Sequence, residues 1–232
     1  MTLEEFKQHN NVSFKNDDLL NQAFIHRSYI NENPKSGLEH NERLEFLGDA
    51  ILELVVTEYL YEKYPHHNEG DLTAYRSALV NAITLGEVAD VLKFNDMMKL
   101  SKGEAKDVFR ARSSILADAY EAFIGALYLD QGYDTVKEFI LRTLLVKTED
   151  IIRNGLYKDA KSFVQEKSQE LYGITPAYRV LSEEGPDHDK LFSVGIYFGD
   201  EMIAEGRGKS KQEAETVSAR NALEVKGWVK ER

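Results

Sequence analysis

The sequence predicts two domains: an all-α domain over residues 1–150, then a smaller α+β domain of order α-β-β-β-α over 159–228, joined by a linker at 151–158. Three observations carry this expectation. Apolar residues of the first part recur at three- and four-residue spacing, as in "LEFLGDAILELVVTEYLYEKY" and "SILADAYEAFIGALYLDQ", which is the period of helices with one buried face. After "IIRNGLYKDA" the texture changes to one helical stretch, three strand-like runs and a closing helix. Within those runs Phe192, Val194, Ile196 and Phe198 alternate with Leu191, Ser193, Gly195 and Tyr197, the two-residue period of a strand that buries one face.

The elements follow in order. The turns "NENPKSG", "YPHHNEGD" and "SKGEAKD" separate the helices of the first domain, their Gly, Pro and Asn residues breaking the helical pattern. A helix from about Ala160 to Tyr172 opens the second domain, "YFGDEM" supplies a hairpin turn, and a helix from about Ser210 to Lys226 closes it. An antiparallel sheet with both helices packed on one face is the expected arrangement. Trp228, near the C-terminus, either packs or frays.

Composition narrows the chemistry. The 42% hydrophobic content over 232 residues is enough for a core, and no apolar run approaches the roughly 18 residues of a membrane span. A cytoplasmic protein with no membrane partner is expected. The absence of cysteine excludes disulfides, thiolate metal sites and thiol nucleophiles, so any metal is held by oxygen or imidazole. The net charge is −11, of which −9 falls within residues 1–155 and −2 within 156–232. The acidity therefore belongs mostly to the first domain, and it counts against a polyanionic partner there unless something neutralises it.

The stretch "HNERLEFLGDAILELVV", residues 40–56, concentrates three carboxylates beside an apolar run. At about 100° per residue, Leu44, Leu47 and Ile51 form a core stripe, while Glu42, Glu45 and Asp49 share a sector roughly 60° wide away from it. Like charges at this spacing repel, and a cation would relieve them. A solvated acidic face behind an Asn41 cap is the plainer alternative. A second helix changes the balance: Leu116, Tyr120, Phe123 and Leu127 cluster on one side, with Asp118 and Glu121 opposite. Four carboxylates from two helices, without cysteine or paired histidines, suit Mg²⁺ or Mn²⁺. Such an ion lowers the pKa of a bound water and neutralises charge on phosphoryl oxygens, the requirements of phosphate chemistry. Phe46 falls off the core stripe, beside the acidic sector, and requires another partner. His66 and His67 read as surface residues, and His26, in "AFIHRSY", as a hydrogen-bonded structural group.

These residues also carry a family resemblance. "NERLEFLGDA" resembles the signature motif of bacterial ribonuclease III, "LADAYEA" its second acidic motif and "NEGDLT" the motif between them. The resemblance implies an all-α endonuclease and dimerisation domain followed by a double-stranded RNA-binding domain. By it, Glu45, Asp118 and Glu121 match metal ligands, Asp49 and Glu121 match catalytic residues, and Glu42 and Glu69 match accessory acidic positions. Phe46 would enter a pocket of a second subunit, making a homodimer. "KSFVQEKSQ", "GPDHDKLFSV" and "GRGKSKQEAE" resemble the three RNA-facing regions of a double-stranded RNA-binding domain, a module that reads A-form shape through 2′-hydroxyls and phosphates. The implied RNA contacts are Gln165, Glu166, Pro186 and His188 in minor grooves and Lys209 and Lys211 on phosphates. Gln212 departs from the family, which commonly has a lysine there, and weaker phosphate binding is expected.

The implied activity is Mg²⁺-dependent hydrolysis of double-stranded RNA, giving 5′-phosphate and 3′-hydroxyl ends with short 3′ overhangs. Mn²⁺ is expected to substitute, and no small organic cofactor is implied. Processing of ribosomal RNA precursors and other structured RNAs is the expected role. An inactive RNA-binding regulator and a phosphohydrolase of small nucleotides are the competing readings. The first would be favoured by loss of an acidic ligand, and all four are present; the second leaves residues 156–232 unexplained.

Overall fold

The computed structural model describes residues 1–106, 110–153, 155, 157, 159–186 and 190–228, which divide into two units, Met1–Glu149 and Asp150–Arg232. The first unit is helical: α1 (Leu3–His9), α2 (Asp17–Ala23), α3 (Arg27–Glu32), α4 (Glu42–Lys63), α5 (Glu69–Leu79), α6 (Ala82–Val91), α7 (Arg110–Gln131) and α8 (Tyr133–Thr143). Local chemistry starts many of them. Thr2 and Glu5 form a reciprocal capping box on α1, and Asn16, Asn68 and Asn81 accept backbone N–H groups at the starts of α2, α5 and α6. Each side chain satisfies a donor that the helix leaves unpaired. Helix α9 (Thr148–Arg153) runs into the first three residues of the segment read as a linker. No helix among the described residues is long and apolar enough to cross a membrane.

Helices α4 and α7 are the centre of this unit. The expected α7 core residues Leu116, Tyr120, Phe123 and Leu127 are buried, but so are Ile115, Ala119, Ala122 and Ala126. Helix α7 is thus enclosed nearly all round, and Asp118 and Glu121 are half-buried. An edge-to-face cluster of Phe6, Phe24, Phe94 and Phe123 covers one side of it. On α4 the core stripe also differs from the expectation. Leu47 is only half-buried, while Leu44, Gly48, Ile51, Leu52, Val55 and Val56 are buried.

The reason is a close crossing of the two backbones. A Cβ on Gly48 would stand 1.7 Å from the Glu121 carbonyl oxygen, and one on Gly125 would stand 2.2 Å from that of Leu44. Only hydrogen fits at either position, so the stripe centres on Gly48. Replacing Gly48 with Ala should force the helices apart and destabilise the unit by about 1–3 kcal/mol or more, the usual cost of overpacking. Urea denaturation of Gly48→Ala that matches the parent would show the crossing to be looser than this.

The second unit contains α10 (Ala160–Tyr172), β1 (Ala177–Glu184), β2 (Leu191–Phe198), β3 (Glu201–Gly208) and α11 (Lys211–Val225). The strands form an antiparallel sheet in the order β1-β2-β3. The helix α10 is capped by Asp159 and ends at Gly173, whose φ of 67° suits a residue without a side chain. A two-residue turn at Gly199 and Asp200 links β2 to β3. Phe163 and Val164 of α10, Ile196 and Phe198 of β2, Ile203 of β3, and Ala219, Ala222 and Leu223 of α11 make the core. Gly206 lets β3 lie against α11, since its Cβ would meet Ser218 N at 2.1 Å. Trp228 packs: its ring stacks on Phe198 with centroids 5.9 Å apart.

The strand β2 buries more than one face. Ser193 and Gly195 are buried along with Val194 and Ile196. Gly195 lies beneath Leu181, Tyr197 and Met202, whose side chains reach across the outer face of the sheet. Alternation locates a central strand correctly but does not register what neighbouring strands lay over it.

Candidate metal centre

Glu45 lies one turn before Asp49 on α4, and Asp118 and Glu121 lie at i,i+3 on α7. The Gly48–Gly125 crossing brings these turns together, so that Glu45, Asp118 and Glu121 each offer a carboxylate oxygen within 4.8 Å of the others. All three are half-buried. An all-oxygen set of this kind fits a hard divalent cation.

The electrostatics point the same way. Burial pushes the Glu121 carboxyl up to about 8, helped by the charges of Asp49, Asp118 and Glu45. Burial likewise raises Glu45 to about 7, followed by Asp118, Glu42 and Asp49. Asp118 is also raised by burial, while His26 acts in the opposite sense. The cluster thus resists carrying its full charge without a cation, because each ionised neighbour penalises the next.

Asp49 is exposed and lies outside the tight trio, though its charge reaches both Glu45 and Glu121. Glu42 turns away. Its carboxylate lies 3.2 Å from Arg27 Nη1 and 3.7 Å from His40 Nδ1. Asn41 does not cap α4 with its side chain. Instead its Nδ2 donates to the Ala23 carbonyl at 3.1 Å and its backbone N–H donates to that of Ile25 at 2.9 Å. This anchors the start of α4 to the segment carrying His26. His26 caps α3, its Nδ1 accepting from Ser28 N at 3.3 Å.

Glu69 is not part of the trio. It sits in the first turn of α5, accepts from the Thr73 hydroxyl at 3.3 Å, and borders a cavity of about 480 Å³ lined also by Thr57, Leu60, Tyr61 and Leu72. Thr57 is twelve positions beyond Glu45 on α4, about 18 Å along the axis. Phe46 is 83% exposed and heads a stripe on α4 with Leu54 at 56% and Tyr61 at 74%. His66 and His67 are exposed, and His67 packs edge-on against Tyr64.

In the second unit Gln165 and Glu166 are exposed on α10, and Pro186 is exposed after β1. His188 lies outside the described residues. Lys209 and Lys211 are exposed around Ser210, which caps α11 by accepting Glu213 N–H at 3.1 Å. Gln165 and Gln212 border one cavity of about 420 Å³ with Lys161 and Tyr178, so α10 and the start of α11 present a common face.

The sequence reading missed Gly48, Gly125 and the Arg27–Glu42 pair. A glycine inside a strongly helical pattern was the available signal for the first two. Nothing local marks Arg27, which meets Glu42 across a turn.

A family model described as ribonuclease-III-like matches residues 16–148, and one described as double-stranded RNA binding motif matches 160–226. The chain is 42% identical over 223 residues to "Ribonuclease 3" of Borreliella burgdorferi, covering 96% of this chain and 91% of that protein. It is 45% identical over 213 residues to "Ribonuclease 3" of Carboxydothermus hydrogenoformans, covering 92% and 91%. A solved nuclease domain of ribonuclease III from Campylobacter jejuni, described as flexible in a region involved in dimer formation, aligns with a TM-score of 0.56 at 40% identity. It covers 61% of this chain and 95% of that one. The chain belongs to the ribonuclease III family, with a helical nuclease domain followed by a double-stranded RNA-binding domain.

Proposed function

We propose that this protein is an endoribonuclease that hydrolyses both strands of double-stranded RNA with a divalent cation, Mg²⁺ or Mn²⁺, held by Glu45, Asp118 and Glu121. The observation that carries this is the convergence of three half-buried carboxylates from two helices, in a chain whose second unit matches a double-stranded RNA-binding motif. A bound cation there supplies a water of lowered pKa and neutralises charge on the phosphoryl oxygens. In this reading Asp49, exposed outside the trio, accepts a proton from the attacking water, and Glu121, half-buried on the enclosed helix, would hold the cation. The products are 5′-phosphate and 3′-hydroxyl ends with short 3′ overhangs, and ribosomal RNA precursors in the cytoplasm are the proposed substrates.

The module at 159–228 supplies affinity. Gln165, Glu166 and Pro186 reach minor grooves, while Lys209 and Lys211 meet phosphates.

The working form is a homodimer. Two α4 helices paired antiparallel about a twofold axis near Glu53 and Leu54 set Phe46 of one protomer opposite Tyr61 of the other, since facing positions sum to a constant. The cavity beside Tyr61, about 480 Å³, admits a phenyl ring. Glu69 on its rim then lies near Glu45 and Asp49 of the second copy, which gives this distant carboxylate an accessory place. A twofold dimer carries two acidic centres, one for each RNA strand.

The test is incubation of a long RNA duplex with and without Mg²⁺, read on a gel, with product ends mapped by phosphatase and ligase. Short duplexes with 5′-phosphates are expected only with the metal. Binding without cleavage in millimolar Mg²⁺ would favour the inactive regulator instead.

The raised carboxyls also predict a pH dependence of stability. Because the fold holds the Glu45 and Glu121 protons more tightly than the unfolded chain does, their contribution is fully present below the ordinary value of 4.5 and is lost as pH rises through about 7 to about 8. Metal-free protein should lose several degrees of Tm between pH about 6 and about 9, and millimolar Mg²⁺ should restore them. Glu121→Gln should flatten the profile, which separates this effect from the general acidity of the chain. A parent profile as flat as that of the variant would rule out the carboxyl coupling.

A further inference from the structure

Lys211 does not face an approaching phosphate alone. Its ammonium lies 2.9 Å from a carboxylate oxygen of Glu183 near the end of β1 and 5.5 Å over the ring of Phe192. The same carboxylate is 3.7 Å from Lys190. The strand register places these groups: Glu183 pairs with Phe192 across β1 and β2, so their side chains stand on one sheet face beside the start of α11. One anion therefore sits at the junction of two segments expected to face RNA, the connection after β1 and the N-terminus of α11.

We propose that Glu183 sets the duplex affinity of this domain by occupying Lys211, so that binding exchanges an internal carboxylate for an RNA phosphate. The proposal rests on the reading of Lys211 as a phosphate contact. Two effects act in the same direction. The pair must open, or a carboxylate must remain close to an incoming phosphate and repel it. The pair is exposed, with side chains 57% and 38% accessible for Lys211 and Glu183, so it is weak and readily exchanged. Preorganisation of Lys211 acts against these effects, and Glu183 is not the only group that supplies it, since the Phe192 ring also lies beneath the ammonium. Gln212 adds weight to the contact. The first turn of α11 reads Lys211, Gln212, Glu213, which leaves Lys211 as its cation.

The test measures binding of the full-length protein to an RNA duplex longer than the roughly 16 base pairs such a module spans, in Ca²⁺, across a salt series. The proteins are the parent, Glu183→Gln, Lys211→Gln and the double variant. Glu183→Gln should tighten binding by roughly fivefold and steepen the salt dependence by about one unit of log–log slope. In the Lys211→Gln background the same change should give less than about half that gain on a logarithmic scale, since only Lys190, at the longer distance of 3.7 Å, remains to be released. Unchanged or weaker binding by Glu183→Gln, or an equal gain in both backgrounds, would overturn the proposal. Unaltered affinity of Lys211→Gln alone would instead remove Lys211 from the RNA face, and with it the premise. Thermal melts of all four proteins check that the sheet is intact, and an exposed carboxylate-to-amide change is expected to leave Tm within a degree or two.

Discussion

Glu121→Gln should abolish cleavage of duplex RNA while leaving duplex binding in Ca²⁺ unchanged. Glu121 is half-buried on the enclosed helix α7, its carboxyl is pushed up to about 8, and it shares the trio with Glu45 and Asp118. The amide is isosteric but offers one neutral oxygen in place of an anionic pair, so the cation loses an anchor without any change of shape. Substitution of groups that only support metal ligands costs about 10- to 100-fold, and loss of a ligand should exceed about 100-fold. Removing a half-buried carboxyl that repels its neighbours once ionised should also stabilise the metal-free protein as pH rises through about 8, so lost activity there cannot be blamed on unfolding. Binding survives because the second unit has its own core and its own polar face. Near-parental cleavage in Mg²⁺ would place the chemistry elsewhere.

Phe46→Ala should turn the proposed homodimer into a monomer at micromolar concentration. With 83% of its surface exposed, this ring contributes little to its own subunit, so truncation leaves the monomer fold intact. In an isologous interface each protomer loses one aromatic anchor, about 2 kcal/mol apiece. Two losses raise the dissociation constant by roughly a thousandfold, at about 1.4 kcal/mol per tenfold. Analytical ultracentrifugation over a dilution series should show monomer where the parent stays dimeric, with double-strand cleavage falling in parallel. A variant that dimerises like the parent but melts early would return Phe46 to its own subunit's core and displace the antiparallel pairing of α4.

Much of this was legible in the sequence because it is periodic. Helical spacing separated the apolar stripe of α4 from Glu45 and Asp49, and it also set Phe46 apart from the core. Strand alternation found β2. What was not legible depends on chain segments meeting from elsewhere. The wheel assigned Leu47 to the core because a glycine carries no hydropathy, whereas the α7 backbone selects Gly48 for its lack of a side chain. Asn41 looked like a cap, yet its amide is used on Ala23, eighteen positions earlier. Glu42 shares the acidic sector on the wheel, but Arg27 holds it. Glu69 carries the right chemistry but lies outside the trio. The Glu183–Lys211 pair, 28 positions apart, follows only from the register of β1 on β2.

In the proposed mechanism Glu45, Asp118 and Glu121 together hold the divalent cation used in cleavage. Crystals soaked in Mn²⁺ and measured near its absorption edge test it directly, because the ion supports oxygen coordination like that of Mg²⁺ and scatters anomalously. An anomalous peak bonded to carboxylate oxygens of all three residues, absent from Glu121→Gln crystals, is the predicted result. A peak elsewhere, or an empty trio in crystals of protein that cleaves RNA in Mn²⁺, would contradict it.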